Sequence, residues 1–374
     1  MRDKIKVALV GPIDTKGRYK GGISYIINNL LESDITHNSH LTLLSFDTCR
    51  IERGDYTTGG LSIENIKNAI YTVKDLRYFL KINQPEILYY NSSRGIALIK
   101  DLIILSRIRN EFSGKIIFHI HFAEVEKIVP SNKLLRRLFL GLIESNTDHI
   151  VLLSQKTKEQ FMALGIPNTK ISVIYNFHNL AYSDAQINKK LERKGETLKL
   201  IFLGSLDERK GIIDLFDAIV QVDRMLELHI CGSPKNRSTA ESIKQRVIDD
   251  KKDQIYMHGY VEGDEKKQLL LNADILVLPS YGEGFPIVLS EGLAAGCMLI
   301  TTNVGAIPEV FSDKNGRILS PGDIKGIANA IEELYESDAR EQIIRYNLEL
   351  AEQLSLSQYI REIEKVCMRV NDET

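Results

Sequence analysis

Short apolar runs, many of them β-branched, recur along this 374-residue chain and alternate with longer stretches of helical period. They are KIKVALV, LTLLSF, EILYY, KIIFHIHF, DHIVLL and ISVIYN, then LKLIFLG, LELHICG, IYMHG, DILVLP, CMLITT and GRILS. Runs that are apolar on both faces need cover on both faces, and the helices between them can supply it, so the rhythm predicts α/β architecture with parallel sheets. The rhythm lapses once. From His178 to Thr197 the chain reads HNLAYSDAQINKKLERKGET, polar and without a strand, before LKLIFLG restarts it. The length suits two domains of roughly 150 to 200 residues each. The expected division is 1–177 for a first Rossmann-like domain, 178–197 for a linker and 198–355 for a second. Residues 324–370 read as helices only, and 356–374 are expected to return to the first domain. Ligands are then expected in a cleft between the domains, at the carboxyl ends of the strands.

Several function classes are disfavoured. Cys49, Cys231, Cys297 and Cys367 lie far apart with no CxxC pair, which suggests neither a zinc knuckle nor a disulfide framework and fits a reducing cytoplasm. Only Val7 to Val10 is uninterruptedly apolar near the start, too short for a signal-peptide core, and no run approaches the ~20 residues of a membrane span. Neither GPIDTKGRYKGG after the first strand nor LGSLDERKG after the seventh has the G-x-G-x-x-G spacing of a dinucleotide fold. No basic patch interleaved with aromatics argues for nucleic acid. The net charge of −2 conceals an asymmetry: up to Phe177 there are 24 Lys plus Arg against 17 Asp plus Glu, leaving −9 for the remainder. This is either attraction of the first half to an anionic surface or ordinary scatter between two solvated domains.

The most specific chemistry lies in GEGFPIVLSEGLAAG, residues 282–296, where Glu283 and Glu291 stand eight positions apart around an apolar run. DILVLPS reads as a strand stopped by Pro279, YGEG as a turn, Pro286 as the first helical residue and Gly296 as the residue just past the helix. A helix start of this kind offers free N–H groups and a positive dipole end to a phosphate. Two carboxylates beside it would accept hydrogen bonds from sugar hydroxyls, and a nucleotide sugar carries hydroxyls on both sides of its diphosphate. The bland alternative for either residue alone is a helix cap or a surface ion pair.

PSYGEGFPIVLSEGLAAGCMLITTNVGAIPEVF closely resembles the signature of glycosyltransferase family 4, retaining nucleotide-sugar transferases of GT-B fold. Gly21 and Gly22, TDHIVLLS, ISVIYNFHN and FLGSLDERKG resemble further family elements along nearly the whole chain. The resemblance implies that Glu291 holds the ribose hydroxyls and Glu283 the donor sugar, with backbone amides of Gly284, Phe285 and Ile287 facing sugar and phosphates. It implies that Lys210 neutralises the diphosphate leaving group and that His121 reaches the donor sugar. The family's usual Arg after the first glycine is Ser205 here, and Arg209 is the nearest substitute cation. Gly22 is expected to let phosphate approach the backbone closely.

His119 and His121 share one face of a strand, with a structural role as the alternative for each. Glu124, Asn91, Ser92 and Arg94 are candidates for the acceptor side. The segment 132–143, with Lys133, Arg136 and Arg137 among leucines, is either a docking helix for anionic lipid or a core-packed helix with solvated charges. No D-x-D occurs, so no metal is expected, and the implied transfer is metal-independent. No cofactor is expected beyond the donor itself, a UDP-sugar ahead of a GDP-sugar. The expected function is transfer of a hexosyl unit to a saccharide acceptor, lipid-linked, in bacterial surface polysaccharide synthesis, by a cytoplasmic protein docked on the inner membrane face. The alternatives are a non-catalytic GT-B subunit that partners another transferase, kept open by Ser205, and a sugar-nucleotide epimerase of the same architecture.

Overall fold

The computed structural model describes residues 4–13, 21–33, 39–49, 63–92, 95–122, 129–193, 197–250 and 254–373. All twelve apolar runs become strands. In the first half these are β1 (Ile5–Gly11), β2 (Leu41–Asp47), β3 (Ile87–Ser92), β4 (Lys115–Ile120), β5 (His149–Leu152) and β6 (Ile171–Val173). They form a six-stranded parallel sheet in the order β2-β1-β3-β4-β5-β6. The second half gives β7 (Leu198–Leu203), β8 (Leu226–Cys231), β9 (Gln254–Gly259), β10 (Ile275–Leu278), β11 (Met298–Thr302) and β12 (Gly316–Leu319). Their order is β12-β11-β10-β7-β8-β9, again all parallel.

The chain divides into two compact units, 1–176 with 356–374 and 177–355. In each sheet the strand order reverses once. The reversal lies beside β1 in the first unit and between β7 and β10 in the second. At such a switch the loops leaving two neighbouring strands diverge, opening a crevice at their carboxyl ends. The last helix, Leu356–Asp372, returns to the first unit. It buries Tyr359, Ile363, Val366, Cys367 and Val370 along one face, each apolar side chain contributing roughly 1.5–3 kcal/mol of gross burial energy. Polar contacts fix its register: the Glu364 carboxylate accepts from the His40 amide at 2.6 Å and Arg369 donates to Ser172 Oγ at 2.8 Å.

The polar stretch 178–197 is built into the second unit. It carries the helix Asp184–Glu192, opened by a capping box of Ser183 and Gln186. Lys190 is buried, donating to the Ala295 carbonyl at 2.7 Å. Arg193 pairs with Asp274. A segment anchored by cations on carbonyls and carboxylates has the composition of a linker, which is why the sequence reads as one.

Both units use one device to align their central strands. Ahead of β5, Asp148 donates its amide to the Ile116 carbonyl at 2.8 Å and takes the Ile116 amide on Oδ2 at 2.8 Å, while Arg109 holds the same carboxylate. Ahead of β10, Asp274 donates to the Lys199 carbonyl at 2.8 Å, takes the Lys199 amide on Oδ2 at 2.9 Å, and is held by Arg193 and Arg340. Removing the carboxylate leaves two half-buried guanidinium groups and the Lys199 amide without their shared acceptor. Asp274→Ala should therefore lower the free energy of unfolding by about 3 kcal/mol, read from urea denaturation, whereas an exposed control such as Asp338→Ala should change it by less than ~0.5 kcal/mol.

Candidate functional site

The second unit's switch point holds most of the residues singled out in the sequence. β7 ends in the loop 204–211, and β10 ends in the loop 279–286. Gly211 lets the β7 loop close on the β10 loop, and Gly305, in the loop after β11, lets that loop close on it as well. A side chain at Gly211 (φ +72°) would put its Cβ 2.1 Å from the Pro279 carbonyl oxygen. At Gly305 (φ +58°) it would stand 2.2 Å from the carbonyl oxygen of Glu283. Only glycine permits either approach.

Packed in this way, Lys210 Nζ lies 2.6 Å from Glu283 Oε1. Ser280, fully buried, donates its hydroxyl to the same oxygen at 2.7 Å. Glu283 is only 6% exposed. Its carboxylate is paired because burial of a lone charge would cost several kcal/mol. Asp207 positions the lysine from below, accepting the Lys210 amide on Oδ1 at 3.1 Å. Ser205 donates to the other Asp207 oxygen at 2.8 Å. Arg209 donates to the Gly282 carbonyl at 2.5 Å and its own carbonyl accepts from Tyr281. It braces the turn.

The helix after this turn runs Ile287–Ala294. It begins one residue later than the sequence suggests, because Pro286 is extended (φ −74°, ψ 117°) and serves as the cap position, with no side chain capping the helix. The amide of Ile287 is therefore at the open end. Gly284 accepts from the Ala306 amide, and Phe285 stacks on Phe311 with ring centroids 5.6 Å apart. Glu291, on the second turn, is 1% exposed. Lys266 Nζ sits 2.6 Å from its Oε1. The ion pair anticipated as the bland alternative exists, but it is buried.

In the first unit, Gly22 opens the helix Gly22–Glu32, with Gly21 as an extended cap and no capping side chain. A Cβ at Gly22 would meet nothing within 4 Å. Asn91 and His121 are brought together: Asn91 Nδ2 donates to the Val10 carbonyl at 3.1 Å, which turns Oδ1 toward His121 Nε2 at 2.9 Å. The proton of the neutral ring therefore sits on Nε2. Nδ1 is a buried acceptor without a partner among the described residues. His119 is structural, fully buried with Nδ1 3.0 Å from the Tyr89 hydroxyl. Ser92 does not line an open surface. It is 1% exposed and donates to Asp101 Oδ2 at 2.7 Å, alongside the Tyr90 hydroxyl on Oδ1. Burial raises the pKa of Asp101 above the usual carboxylate range. Arg94 and Glu124 lie outside the described residues.

Lys266 and Ser280 were missed in the sequence. Lys266 leaves one trace there: a cation in the first turn of a helix opposes the dipole and asks for a compensating carboxylate. Ser280 leaves none, since its role depends on where the turn folds back.

Residues 183–350 match the family model of glycosyl transferases group 1. An uncharacterized glycosyltransferase of Methanocaldococcus jannaschii is 24% identical over 368 residues, 95% of this chain and 96% of that one. A putative teichuronic acid biosynthesis glycosyltransferase of Bacillus subtilis is 27% identical over 186 residues, covering 49% of this chain and 45% of the relative. The crystal structure of Anabaena HepE in complex with UDP-glucose superposes with a TM-score of 0.70 at 16% identity, covering 98% of this chain and all of that one.

The first unit's histidines give the fold a pH signature. Burial drives the His121 imidazole down to about 3 and His149 down to about 4, and holds His119 well below its ordinary value. The rings of His119 and His121 lie 3.8 Å apart, so a proton on one would face the other. The unfolded chain takes up protons near pH ~6.5 while the folded one does not. Stability is thus complete above that pH and is lost as pH falls toward 4. In urea melts over this window, the wild type should lose stability more steeply than His121→Gln, by up to about 1.4 kcal/mol per pH unit. Equal slopes would contradict the burial of a neutral His121.

Proposed function

For this chain, a glycosyltransferase of GT-B fold carrying a group 1 domain, we propose that the second unit binds a nucleoside-diphosphate sugar and that the enzyme transfers its hexosyl group with retention and without a metal ion. The observation that carries the reading is the buried Lys210–Glu283 pair at the β7/β10 switch point, beside an uncapped helix start. Glu283 accepts hydrogen bonds from the sugar and Glu291 from the ribose. Lys210, the Ile287 amide and the amides of Gly284 and Phe285 face the diphosphate and sugar. The UDP-glucose held by the Anabaena neighbour supports a uridine nucleotide.

In the transfer, the bond from the anomeric carbon to the β-phosphate oxygen breaks. The acceptor oxygen bonds to that carbon on the same face, and its proton passes to the departing phosphate. As the C–O bond breaks, and before the proton arrives, negative charge builds on the departing phosphate oxygen, and Lys210 is the cation that stabilises it. The positive charge in this account is lysine and helix dipole.

The acceptor we assign is a lipid-linked saccharide of bacterial surface polysaccharide, in line with the teichuronic acid relative. No helix among the described residues is long and apolar enough to cross a membrane. The helix Lys133–Asn146 packs inward through Phe139 and Ile143. It exposes Leu134, Leu135 and Leu138 at 67%, 55% and 57% among Lys133, Arg136 and Arg137. Ile99 and Ile103 are exposed on the neighbouring helix Ile96–Arg109. Apolar side chains framed by cations suit an anionic bilayer surface.

Two experiments test these assignments. UDP should raise the melting temperature of the purified protein with or without EDTA, and Lys210→Met should lower kcat/KM by about 10²–10³-fold; unchanged turnover in that variant would remove Lys210 from the leaving-group role. Replacing Leu134, Leu135 and Leu138 with Ser should abolish co-sedimentation with phosphatidylglycerol vesicles while the melting temperature holds. Retained binding would exclude this helix as the membrane contact.

A further inference from the structure

We propose that Lys266 is the positioning residue of the ribose end of the donor site, fixing the Glu291 carboxylate so that its second oxygen meets the ribose hydroxyls. This rests on the donor being a ribonucleoside-diphosphate sugar. A carboxylate 1% exposed needs a counter-charge to offset its loss of water. Lys266 supplies that charge at 2.6 Å, on Oε1 of Glu291. Among the described residues Glu291 Oε2 receives no hydrogen bond.

Neighbouring polar groups are committed elsewhere. His178 and Tyr182 both act electrostatically on or with Glu291. Yet His178 donates from Nε2 to the Ala351 carbonyl at 2.9 Å and accepts the Leu180 amide on Nδ1, and the Tyr182 hydroxyl donates to the Lys267 carbonyl. Lys266 is the fourth residue of the helix Gly263–Asn272, whose first turn carries Asp264 and Glu265. Acids suit that end of a helix and a cation does not, so the placement costs energy that the pair with Glu291 offsets. The same arrangement recurs at the other carboxylate, where Lys210 and Ser280 hold Oε1 of Glu283. Each glutamate is thus pinned by one oxygen to a lysine from another element, with the second oxygen left for ligand.

The test compares UDP with 2′-deoxy-UDP, which lacks one hydroxyl, by calorimetry on wild type, Lys266→Met and Lys266→Arg. Lys266→Met should weaken UDP binding roughly ten- to a hundredfold and weaken 2′-deoxy-UDP, which keeps the 3′-hydroxyl, by clearly less, so that the wild-type preference for the ribonucleotide shrinks. Lys266→Arg should restore most of it. In turnover, the Met variant should raise KM with kcat held. An equal loss for both nucleotides would show Lys266 acting on base or phosphate and overturn the assignment, as would no loss for either. Wild type that binds nucleoside diphosphates with no preference for ribose overturns the Lys266 role while sparing the donor reading; wild type that binds none overturns both. Should Lys266→Met fail to fold, Lys266→Gln carries the same comparison.

Discussion

Two carboxylates in the second unit are almost closed to water, and a buried charge must be paired. Glu283 and Glu291 each meet this requirement with a lysine at 2.6 Å. The pairing fixes more than the two side chains. Lys210 can reach Glu283 only if the loop after β7 lies against the turn after β10, and that approach is possible only with glycine at position 211; glycine at 305 lets the loop after β11 close on the same turn. Lys266 can reach Glu291 only if the helix Gly263–Asn272 is set beside the helix Ile287–Ala294.

What makes these loops neighbours is strand order. β7 and β10 are far apart in sequence and adjacent in the sheet. Asp274 ties their starts together by a reciprocal pair of hydrogen bonds with Lys199, as Asp148 does with Ile116 between β4 and β5. Sheet alignment at the amino ends of the strands thus sets the spacing of the loops at their carboxyl ends. This geometry leaves a crevice at a topological switch, an uncapped helix start beside it, and two buried carboxylates each paired with a lysine.

The strands were legible because the inner ones are apolar runs buried on both faces, and that pattern is local; the edge strand β9 is half-exposed along its length. Glu283, Glu291 and Lys210 were legible because acidic and basic residues among apolar ones stand out, and because the segment around them resembles a known signature. What failed was whatever depends on tertiary partners. Ser92 stands at a strand end, as an acceptor-lining residue should, but Asp101 on the next helix captures its hydroxyl. Arg209 neighbours Lys210, yet a carbonyl across the turn takes its guanidinium. The stretch 178–197 has a linker's composition and an anchor's contacts. Lys266 lies in a run of charges that resembles any solvated helix start, and only the position of Glu291 gives it meaning.

The central claim is that the loops after β7 and β10 and the helix start at Ile287 form one ligand site for a nucleoside-diphosphate sugar. Hydrogen–deuterium exchange measured with and without UDP-glucose addresses it most directly, because bound phosphate and sugar would protect the amides that face them. The account predicts protection concentrated in 204–211, 263–272 and 282–291, with β8 and β9 unaffected. Binding accompanied by protection elsewhere, with these three segments exchanging as in the free protein, would contradict it.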